Sequence, residues 1–210
     1  MKKILIYGDS NTWGDNFILG KRIDDDKQWP NILQRKLGSE YKILQEGLPG
    51  RLAGNEETLK TYKNGKESFI STFRTNAPVD TLIISLGTND LQMKYNKSSE
   101  KVIEDLLWYK KTISDMYEDI DDRKKYFNSK FPDIIYILPA NFDYKVNASI
   151  IFDKNSETKR KEIIDYFQKN NLKSIFINNI PLFDDGLHYN FDGHKIMSEE
   201  VFKKIINYRW

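Results

Sequence analysis

The amino-acid sequence predicts an α/β protein, a three-layer α/β/α sandwich with a five-stranded parallel sheet at its centre. Short apolar runs alternate five times with longer segments of helical spacing, which is typical of parallel strands joined by crossover helices. Several of the runs end abruptly in small polar residues, where α/β proteins build ligand sites. With 210 residues, 39% of them hydrophobic, the chain can bury one sizeable core, and we expect a single domain over residues 1–210.

The predicted strands are the five apolar runs. The third run is the clearest, because it is continuously apolar, as expected of a central parallel strand that is buried on both faces. Pro139 ends the fourth run. In chain order, the predicted strands are Ile4–Tyr7, Tyr41–Gln45, Thr81–Leu86, Ile134–Leu138 and Ser174–Ile177.

The predicted helices lie between these strands and after the last one. Pro30 suits the first turn of the first helix, and Gly38 suits its exit. In the second helix we expect Ile70 and Phe73 to face the core, and in the third the apolar face continues to Ile120. In chain order, the predicted helices are Trp29–Leu37, Ser68–Thr75, Ser99–Ile120, Ser156–Asn170 and Asp192–Tyr208.

Polar residues that follow the strands form the candidate functional site, since the carboxyl ends of parallel strands meet at one edge of a sheet. Ser10 follows the first strand in Gly8-Asp9-Ser10, and its hydroxyl is the candidate nucleophile. In this interpretation Asp9 shapes the turn that presents Ser10.

A serine nucleophile needs a base, and histidine is the usual one because its pKa lies near neutrality. The chain has two histidines, His188 and His194. His188 follows Asp185 by three residues, a spacing that lets the carboxylate orient the imidazole. A purely structural histidine remains the alternative at position 188. His194 starts a helix and is expected at the surface or in a helix cap.

Acyl transfer also needs hydrogen-bond donors for the developing oxyanion. The backbone N–H groups of Ser10 and Gly50 and the side-chain amide of Asn89 are the candidates. Taken alone, Gly50 and Asn89 are equally compatible with simple turn residues. Their interpretation as donors depends on four separate loops each contributing one part of a single mechanism.

Together, Gly8-Asp9-Ser10, Gly50, Gly87-Thr88-Asn89-Asp90 and Asp185-Gly186-Leu187-His188 resemble the four blocks of the SGNH, or GDSL-type, hydrolase superfamily. The order and spacing of the blocks match over nearly the whole chain, and the first two are most similar to the arylesterase and acyltransferase branch. The resemblance implies a flavodoxin-like fold and a catalytic triad of Ser10, His188 and Asp185. It also implies an oxyanion hole formed by Ser10, Gly50 and Asn89.

Residues next to the nucleophile are candidates for substrate binding. Asn11 stands where the name-giving motif has leucine, which bears on substrate preference. Trp13 could form a wall of the acyl or alcohol pocket, or it could be a core tryptophan. Arg51 could bind an anionic substrate group, but pairing with Glu46 or Asp15 is the favoured interpretation. The long loop over residues 140–155 could cap the site or bury a dimer contact.

Composition excludes several classes of protein. With 33 basic and 31 acidic residues, the chain offers no electrostatic case for nucleic acid. It has no cysteine, which excludes disulfides, thiolate zinc sites and a cysteine nucleophile. No apolar run resembles a secretory signal or a membrane span, so we expect a cytoplasmic protein. The expected partner is a small-molecule ester; no cofactor, metal or membrane is expected, and a homo-oligomer is left open.

The sequence therefore predicts a serine esterase that acts on short-chain, notably acetyl, esters of carbohydrates or other small molecules. Two alternatives remain at this point. The first is a metal-dependent phosphohydrolase that uses strand-end side chains, and the second is a non-catalytic binding module on the same scaffold. The candidate metal ligands of the first alternative are Asp9, Asp90, Asp184, Asp185 and His188.

Overall fold

A five-stranded sheet with only parallel pairings forms the centre of the computed structural model, which describes residues 1–57 and 60–207. The predicted α/β fold with a parallel five-stranded sheet is confirmed. A separate two-stranded antiparallel ribbon follows the first strand. The strands are β1 (Lys2–Gly8), β2 (Asp15–Asn16), β3 (Lys21–Arg22), β4 (Tyr41–Gly47), β5 (Thr81–Ser85), β6 (Asp133–Ile137) and β7 (Ser174–Ile175).

The order of the strands brings three loops together. The sheet order is β4-β1-β5-β6-β7. Strand β1 therefore lies between β4, which precedes Gly50, and β5, which precedes Asn89. In the register of these pairs, Gly8 at the end of β1 lies beside Gly47 of β4 and Ser85 of β5. The loops that carry Ser10, Gly50 and Asn89 therefore leave the sheet at the same edge.

Seven helices surround the sheet in the described part of the chain. The five predicted helices are present, and a four-residue helix directly after β1 was not predicted. The predicted end of the last helix, at Tyr208, lies outside the described residues. The helices are α1 (Ser10–Trp13), α2 (Trp29–Leu37), α3 (Gly65–Asn76), α4 (Ser99–Glu118), α5 (Ile120–Tyr126), α6 (Lys154–Lys169) and α7 (Phe191–Ile206).

The predicted third helix is divided in two at Asp119. Asp119 has extended backbone angles, and its carboxylate accepts hydrogen bonds from the N–H groups of Asp121 and Asp122, both at 2.9 Å. An aspartate in this position caps a new helix and competes with continuation of the old one. Ile120 consequently starts α5 with 57% of its surface exposed, so its predicted core position was wrong.

The core position predicted for Ile70 was also wrong, because Phe69 and not Ile70 shares the core-facing side of α3 with Phe73. From its start at Gly65, the helix directs Phe69 and Phe73 at the sheet, four residues apart and both fully buried. The ring centroids of Phe69 and Tyr7 are 5.2 Å apart. Ile70 lies to one side of this face, with 36% of its surface exposed.

Two apolar cores cover the two faces of the sheet, as a three-layer sandwich requires. Helices α3, α4 and α6 pack on one face, and α2 and α7 pack on the other. The last strand is shorter than predicted and ends at Ile175, after which Phe176 is partly exposed. No helix in the described ranges has the length and apolar character needed to cross a bilayer.

The loop over residues 140–155 divides its apolar residues between the core and the surface. Phe142 and Phe152 are buried and stack with their ring centroids 4.2 Å apart. Ile150, near the tip of the loop, is 87% exposed. The aromatic pair anchors the loop to the core, and the tip is left open beside the carboxyl edge of the sheet.

Candidate active site

The turn after β1 places Ser10 at the N-terminus of a short helix. Asp9 caps α1 by accepting a hydrogen bond from the Asn11 N–H at 3.0 Å, and Gly14 ends the helix with a φ of 87°. Gly8 has to lack a side chain, because a Cβ there would lie 2.1 Å from the Thr12 hydroxyl oxygen. The sequence Gly8-Asp9-Ser10 therefore folds into a tight strand-to-helix turn with Ser10 as the first helical residue.

Ser10, His188 and Asp185 lie in one chain of hydrogen-bond contacts. The Oγ of Ser10 is 3.0 Å from Nε2 of His188, and Nδ1 of His188 is 2.5 Å from Oδ2 of Asp185. The other oxygen of Asp185 accepts the N–H groups of Leu187 and His188 at 2.9 and 3.0 Å. Burial acts to raise the pKa of Asp185, but these hydrogen bonds hold it below its usual value. Asp185 is thus an ionised carboxylate directed at the imidazole.

The predicted oxyanion donors lie on the loops that follow β1, β4 and β5. Gly50 has a φ of 77°, a conformation that favours glycine. In the described residues, no acceptor binds the backbone N–H of Ser10 or of Gly50. The Asn89 amide donates one hydrogen bond to the Arg51 carbonyl at 3.1 Å, and Gln92 Nε2 donates to its oxygen at 2.8 Å. Since an amide carries two N–H donors, one of them remains for a ligand.

Asp90 fixes the loop that carries Gly50. Its carboxylate is fully buried and accepts the N–H groups of Ala53 and Gly54 at 2.7 and 3.3 Å. Lys97, which the sequence analysis missed, donates to the same carboxylate at 2.9 Å. The Asn89 side chain therefore holds the start of the segment over residues 51–54, and the Asp90 side chain holds its end. Both oxygens of Asp90 are already hydrogen-bonded.

Arg51 ties the same loop to the ends of β1 and β4. Its Nη1 donates to the backbone carbonyls of Gly8 and Glu46, and its guanidinium lies 4.0 Å from the ring centroid of Tyr7. The predicted bracing role is present, but the bonded group of Glu46 is the main-chain carbonyl and not the carboxylate. Because the guanidinium is buried in these contacts, it is not placed to bind a substrate anion.

Asn11 and Trp13 each contact other parts of the chain, and their role in substrate binding stays a prediction. Asn11 is buried; its Oδ1 accepts the Tyr189 N–H at 2.9 Å and its Nδ2 donates to the Leu187 carbonyl at 3.5 Å. Trp13 is half-buried, and the guanidinium of Arg22 lies 5.5 Å from its ring centroid. The side-chain amide of Asn11 is thus hydrogen-bonded to the main chain of Leu187 and Tyr189, the residues on either side of His188.

His194 is a core residue, so its predicted surface or capping position was wrong. It is fully buried, and its Nδ1 accepts the Trp29 N–H at 3.3 Å. Burial lowers its pKa to about 4, which makes it a neutral imidazole at ordinary pH. Met197 and Val201, three and seven residues later, share its buried face of α7. That helical spacing was the sequence signal for its burial.

Asp15 is a residue of the site that sequence reasoning missed. It lies in β2, and its Oδ2 is 3.9 Å from Nε2 of His188, the nitrogen that also faces Ser10. Burial raises the pKa of Asp15, and the nearby His188 partly offsets this effect. Its position shortly after the nucleophile helix was the only local signal.

A cavity of about 480 Å³ opens beside His188. Aliphatic side chains from the ribbon, the long loop and the histidine loop form much of its wall. Its lining residues are Ile18, Asn147, Ile150, Ile151, Asp184, Asp185, Leu187 and His188. Within residues 1–57 and 60–207, no group of three or more histidine and carboxylate side chains is arranged to hold a metal ion.

The contact of a serine, a histidine and an aspartate at the carboxyl edge of a parallel sheet is the arrangement found in hydrolytic enzymes of the α/β class. The sequence profile of the GDSL-like Lipase/Acylhydrolase family matches residues 4–201. The chain belongs to this family, and the protein is a carboxylic ester hydrolase. The superfamily resemblance found in the sequence is confirmed.

Solved structures from this superfamily share the fold over almost the entire chain. A carbohydrate acetylesterase family member from Sinorhizobium meliloti has a TM-score of 0.80 and 21% identity, covering 98% of this chain and 97% of its own. The native aryl esterase of M. smegmatis has a TM-score of 0.80 and 18% identity, covering 99% of both chains. A lipase/acylhydrolase from Enterococcus faecalis has a TM-score of 0.66 and 17% identity, covering 99% and 96%. Among curated proteins, no sequence matches this chain.

Proposed function

We propose that the protein hydrolyses short-chain carboxylic esters, notably acetyl esters of carbohydrates or other small molecules, through an acyl-enzyme on Ser10. The observation that carries the proposal is the continuous contact from Asp185 through His188 to Ser10, with distances of 2.5 and 3.0 Å. A serine hydroxyl is a weak nucleophile until a base takes its proton, and this geometry supplies the base and its orienting acid.

In the acylation step, Nε2 of His188 accepts the hydroxyl proton while Oγ of Ser10 forms a bond to the ester carbonyl carbon. The carbonyl oxygen becomes an oxyanion. The N–H groups of Ser10 and Gly50 and the free amide hydrogen of Asn89 are the donors available to it. Asp185 keeps the imidazole in the tautomer that presents Nε2 to the serine and stabilises the imidazolium that forms.

The tetrahedral intermediate then collapses, and the bond between the carbonyl carbon and the alcohol oxygen breaks. His188 gives its proton to that oxygen, so the alcohol leaves as a neutral molecule. A water molecule repeats the sequence on the acyl-enzyme, with His188 first as base and then as acid. The products are the carboxylic acid and the free enzyme.

The preference for small acyl groups is supported by two of the related structures. One is a carbohydrate acetylesterase family member and another an aryl esterase, and both superpose over at least 97% of each chain. At 21% and 18% identity these likenesses show a shared fold, so the acyl and alcohol groups used by this protein are part of the proposal.

The test uses p-nitrophenyl acetate, butyrate and octanoate with the unsubstituted protein and with Ser10→Ala. We expect the acetate to give the highest kcat/KM and Ser10→Ala to lose at least about 10³-fold in kcat. A fluorophosphonate should label the unsubstituted protein on Ser10 and leave Ser10→Ala unlabelled. Ser71→Ala, on the exposed face of α3, is the matched control and should be labelled normally.

Full hydrolysis by Ser10→Ala would contradict the proposal. So would a rate that is lost on chelation of divalent cations with EDTA, because the proposed mechanism uses no metal ion. A kcat/KM that rises steadily towards the octanoate would replace the short-chain assignment with a lipase-like one and leave the role of Ser10 unchanged.

A further inference from the structure

Asp15 is a half-buried carboxylate at the catalytic centre with no role in the mechanism above. Its Oδ2 lies 3.9 Å from Nε2 of His188. In the described residues it pairs with no lysine or arginine. Arg22, its neighbour across the β2–β3 ribbon, instead donates to the Trp13 carbonyl at 2.6 Å and to Gln28 at 2.8 Å. A charge that burial has partly desolvated is therefore left without a cationic partner.

The geometry of ester cleavage determines which part of a bound ester can lie near the Asp15 carboxylate. The leaving oxygen has to receive its proton from Nε2 of His188, so in the transition state it lies within hydrogen-bond distance of that atom. Oδ2 of Asp15 lies 3.9 Å from the same nitrogen. A substituent on the carbon next to the leaving oxygen is therefore within reach of the Asp15 carboxylate when it extends towards β2.

The cavity beside His188 is lined by His188 itself, the residue that would give its proton to the leaving oxygen. Ile150 and Leu187 give it apolar walls, and the exposed carboxylate of Asp184 adds a second negative charge. Such a cavity is complementary to an alcohol that combines an apolar part with a positive or hydrogen-donating group.

We propose that Asp15 is a specificity-determining residue that selects esters whose leaving alcohol carries a positive charge or a hydrogen-bond donor next to the ester oxygen. This inference rests on the proposed esterase function and adds the class of alcohol to it. The apolar part of the alcohol contacts Ile150 and Leu187, and its charged or donating group contacts Asp15. Anionic alcohols are disfavoured by the same carboxylate.

The alternative role for Asp15 is to act through His188, by stabilising the imidazolium electrostatically. That effect would be the same for every ester, since each passes through the same imidazolium. Selection by contact would instead change the ratio of kcat/KM between two esters that differ only in the group facing Asp15. Ratios within one variant are also independent of how much of that variant is folded.

The experiment compares two pairs of acetates of matched shape. Acetylcholine against 3,3-dimethylbutyl acetate tests the charge, and 2-hydroxyethyl acetate against propyl acetate tests the donor. Each pair is measured with the unsubstituted protein, Asp15→Asn, Asp15→Ala and the control Asp165→Asn, an exposed carboxylate on α6. The measurement is kcat/KM by pH-stat titration of released acetic acid.

We expect at least one pair to favour the charged or donating member by about 10-fold or more, the size of one hydrogen bond to a charged group. Asp15→Asn removes the charge but keeps an acceptor, so it should abolish a charge preference and weaken a donor preference. Asp15→Ala should abolish both, and Asp165→Asn should change neither. The pair that responds identifies which chemistry the carboxylate selects.

Two results would overturn the inference while leaving the esterase function in place. One is a ratio near unity for both pairs in the unsubstituted protein, with all four rates lost in Ser10→Ala. The other is an equal fall on all four esters in Asp15→Asn, with a displaced pH profile, which would assign Asp15 to the support of His188. Absence of hydrolysis of every acetate tested, p-nitrophenyl acetate included, would overturn the esterase function and this inference together.

Discussion

Asn11 and Tyr189 connect the two halves of the candidate active site: Oδ1 of Asn11 accepts the Tyr189 N–H at 2.9 Å, across 178 positions of sequence. Asn11 follows the candidate nucleophile and Tyr189 follows the candidate base. Its Nδ2 donates to the Leu187 carbonyl at 3.5 Å, on the other side of His188. One buried amide therefore sets the position of the histidine loop relative to the serine turn.

Replacing Asn11 by leucine should loosen that connection. Leucine has a similar volume but leaves the buried Tyr189 N–H without an acceptor, so we expect kcat on p-nitrophenyl acetate to fall about 10-fold with little change in KM. Asn11→Asp keeps an acceptor for the Tyr189 N–H and should recover part of the loss. Asn31→Ala, at a partly exposed position of α2, is the control. A change confined to KM would instead place Asn11 in contact with substrate.

Asn89→Ala should lower kcat by about 10²–10³-fold, the usual effect of removing one oxyanion donor. Its neighbour Gln92 donates to the Asn89 oxygen at 2.8 Å and orients the amide without reaching an oxyanion. Gln92→Ala should therefore cost much less, about 10-fold or below. The measurement is steady-state hydrolysis of p-nitrophenyl acetate. Equal losses in both variants would mean that the two residues act only by holding the loop.

Asp90→Ala should destabilise the fold more than any exposed charge change. It leaves Lys97 buried without this partner and removes the acceptor of the Ala53 and Gly54 N–H groups. Breaking a buried ion pair from one side costs about 3–5 kcal/mol in the free energy of unfolding. The check is urea denaturation followed by circular dichroism.

The control for Asp90→Ala is Lys111→Ala, which breaks a fully exposed ion pair with Asp115 on α4. Water and salt screen such a pair, so the midpoint of unfolding should stay almost unchanged. Similar midpoints for Asp90→Ala and Lys111→Ala would show that the Asp90 network does not hold the loop.

His194→Gln should make the protein less sensitive to acid. Burial lowers the pKa of His194 to about 4 from 6.5, so the unfolded chain binds its proton first as the pH falls. The contribution of His194 to the free energy of unfolding is fully present above pH 6.5 and is lost as the pH falls towards 4. Between pH 7 and 5 the loss is about 2 kcal/mol. The variant should lack that loss when its free energy of unfolding is measured in urea at both pH values.

Asp9 has the opposite dependence and is the internal check on the His194 prediction. Burial raises its pKa to about 6 from 3.8, so the folded protein binds this proton first, and stability rises as the pH falls through 6. Asp9→Asn should remove a gain of about 1 kcal/mol between pH 7 and 5. The two variants should therefore change the acid dependence in opposite directions, and changes of the same sign would contradict both assignments.

The positions of the strands and most helices could be predicted because they depend on local periodicity. The run Thr81–Leu86 is apolar throughout, and β5 is found at Thr81–Ser85. Predictions failed at Ile120, where a new cap divided the helix, and at Ile70, where the adjacent Phe69 takes the buried position. Sequence periodicity gives the spacing of a face, but packing against the sheet decides which of two adjacent apolar residues is buried.

What the sequence by itself determined is the alternation of strands and helices and the order of the polar motifs that follow them. Ser10, Gly50, Asn89 and His188 could be assigned to one edge because all parallel strands end on the same side. Only the tertiary structure placed Asp15 beside His188, bonded Asn11 to the histidine loop and buried His194. These contacts join segments about 165–178 residues apart, and they depend on how loops and helices pack, for which local sequence carries no periodic signal.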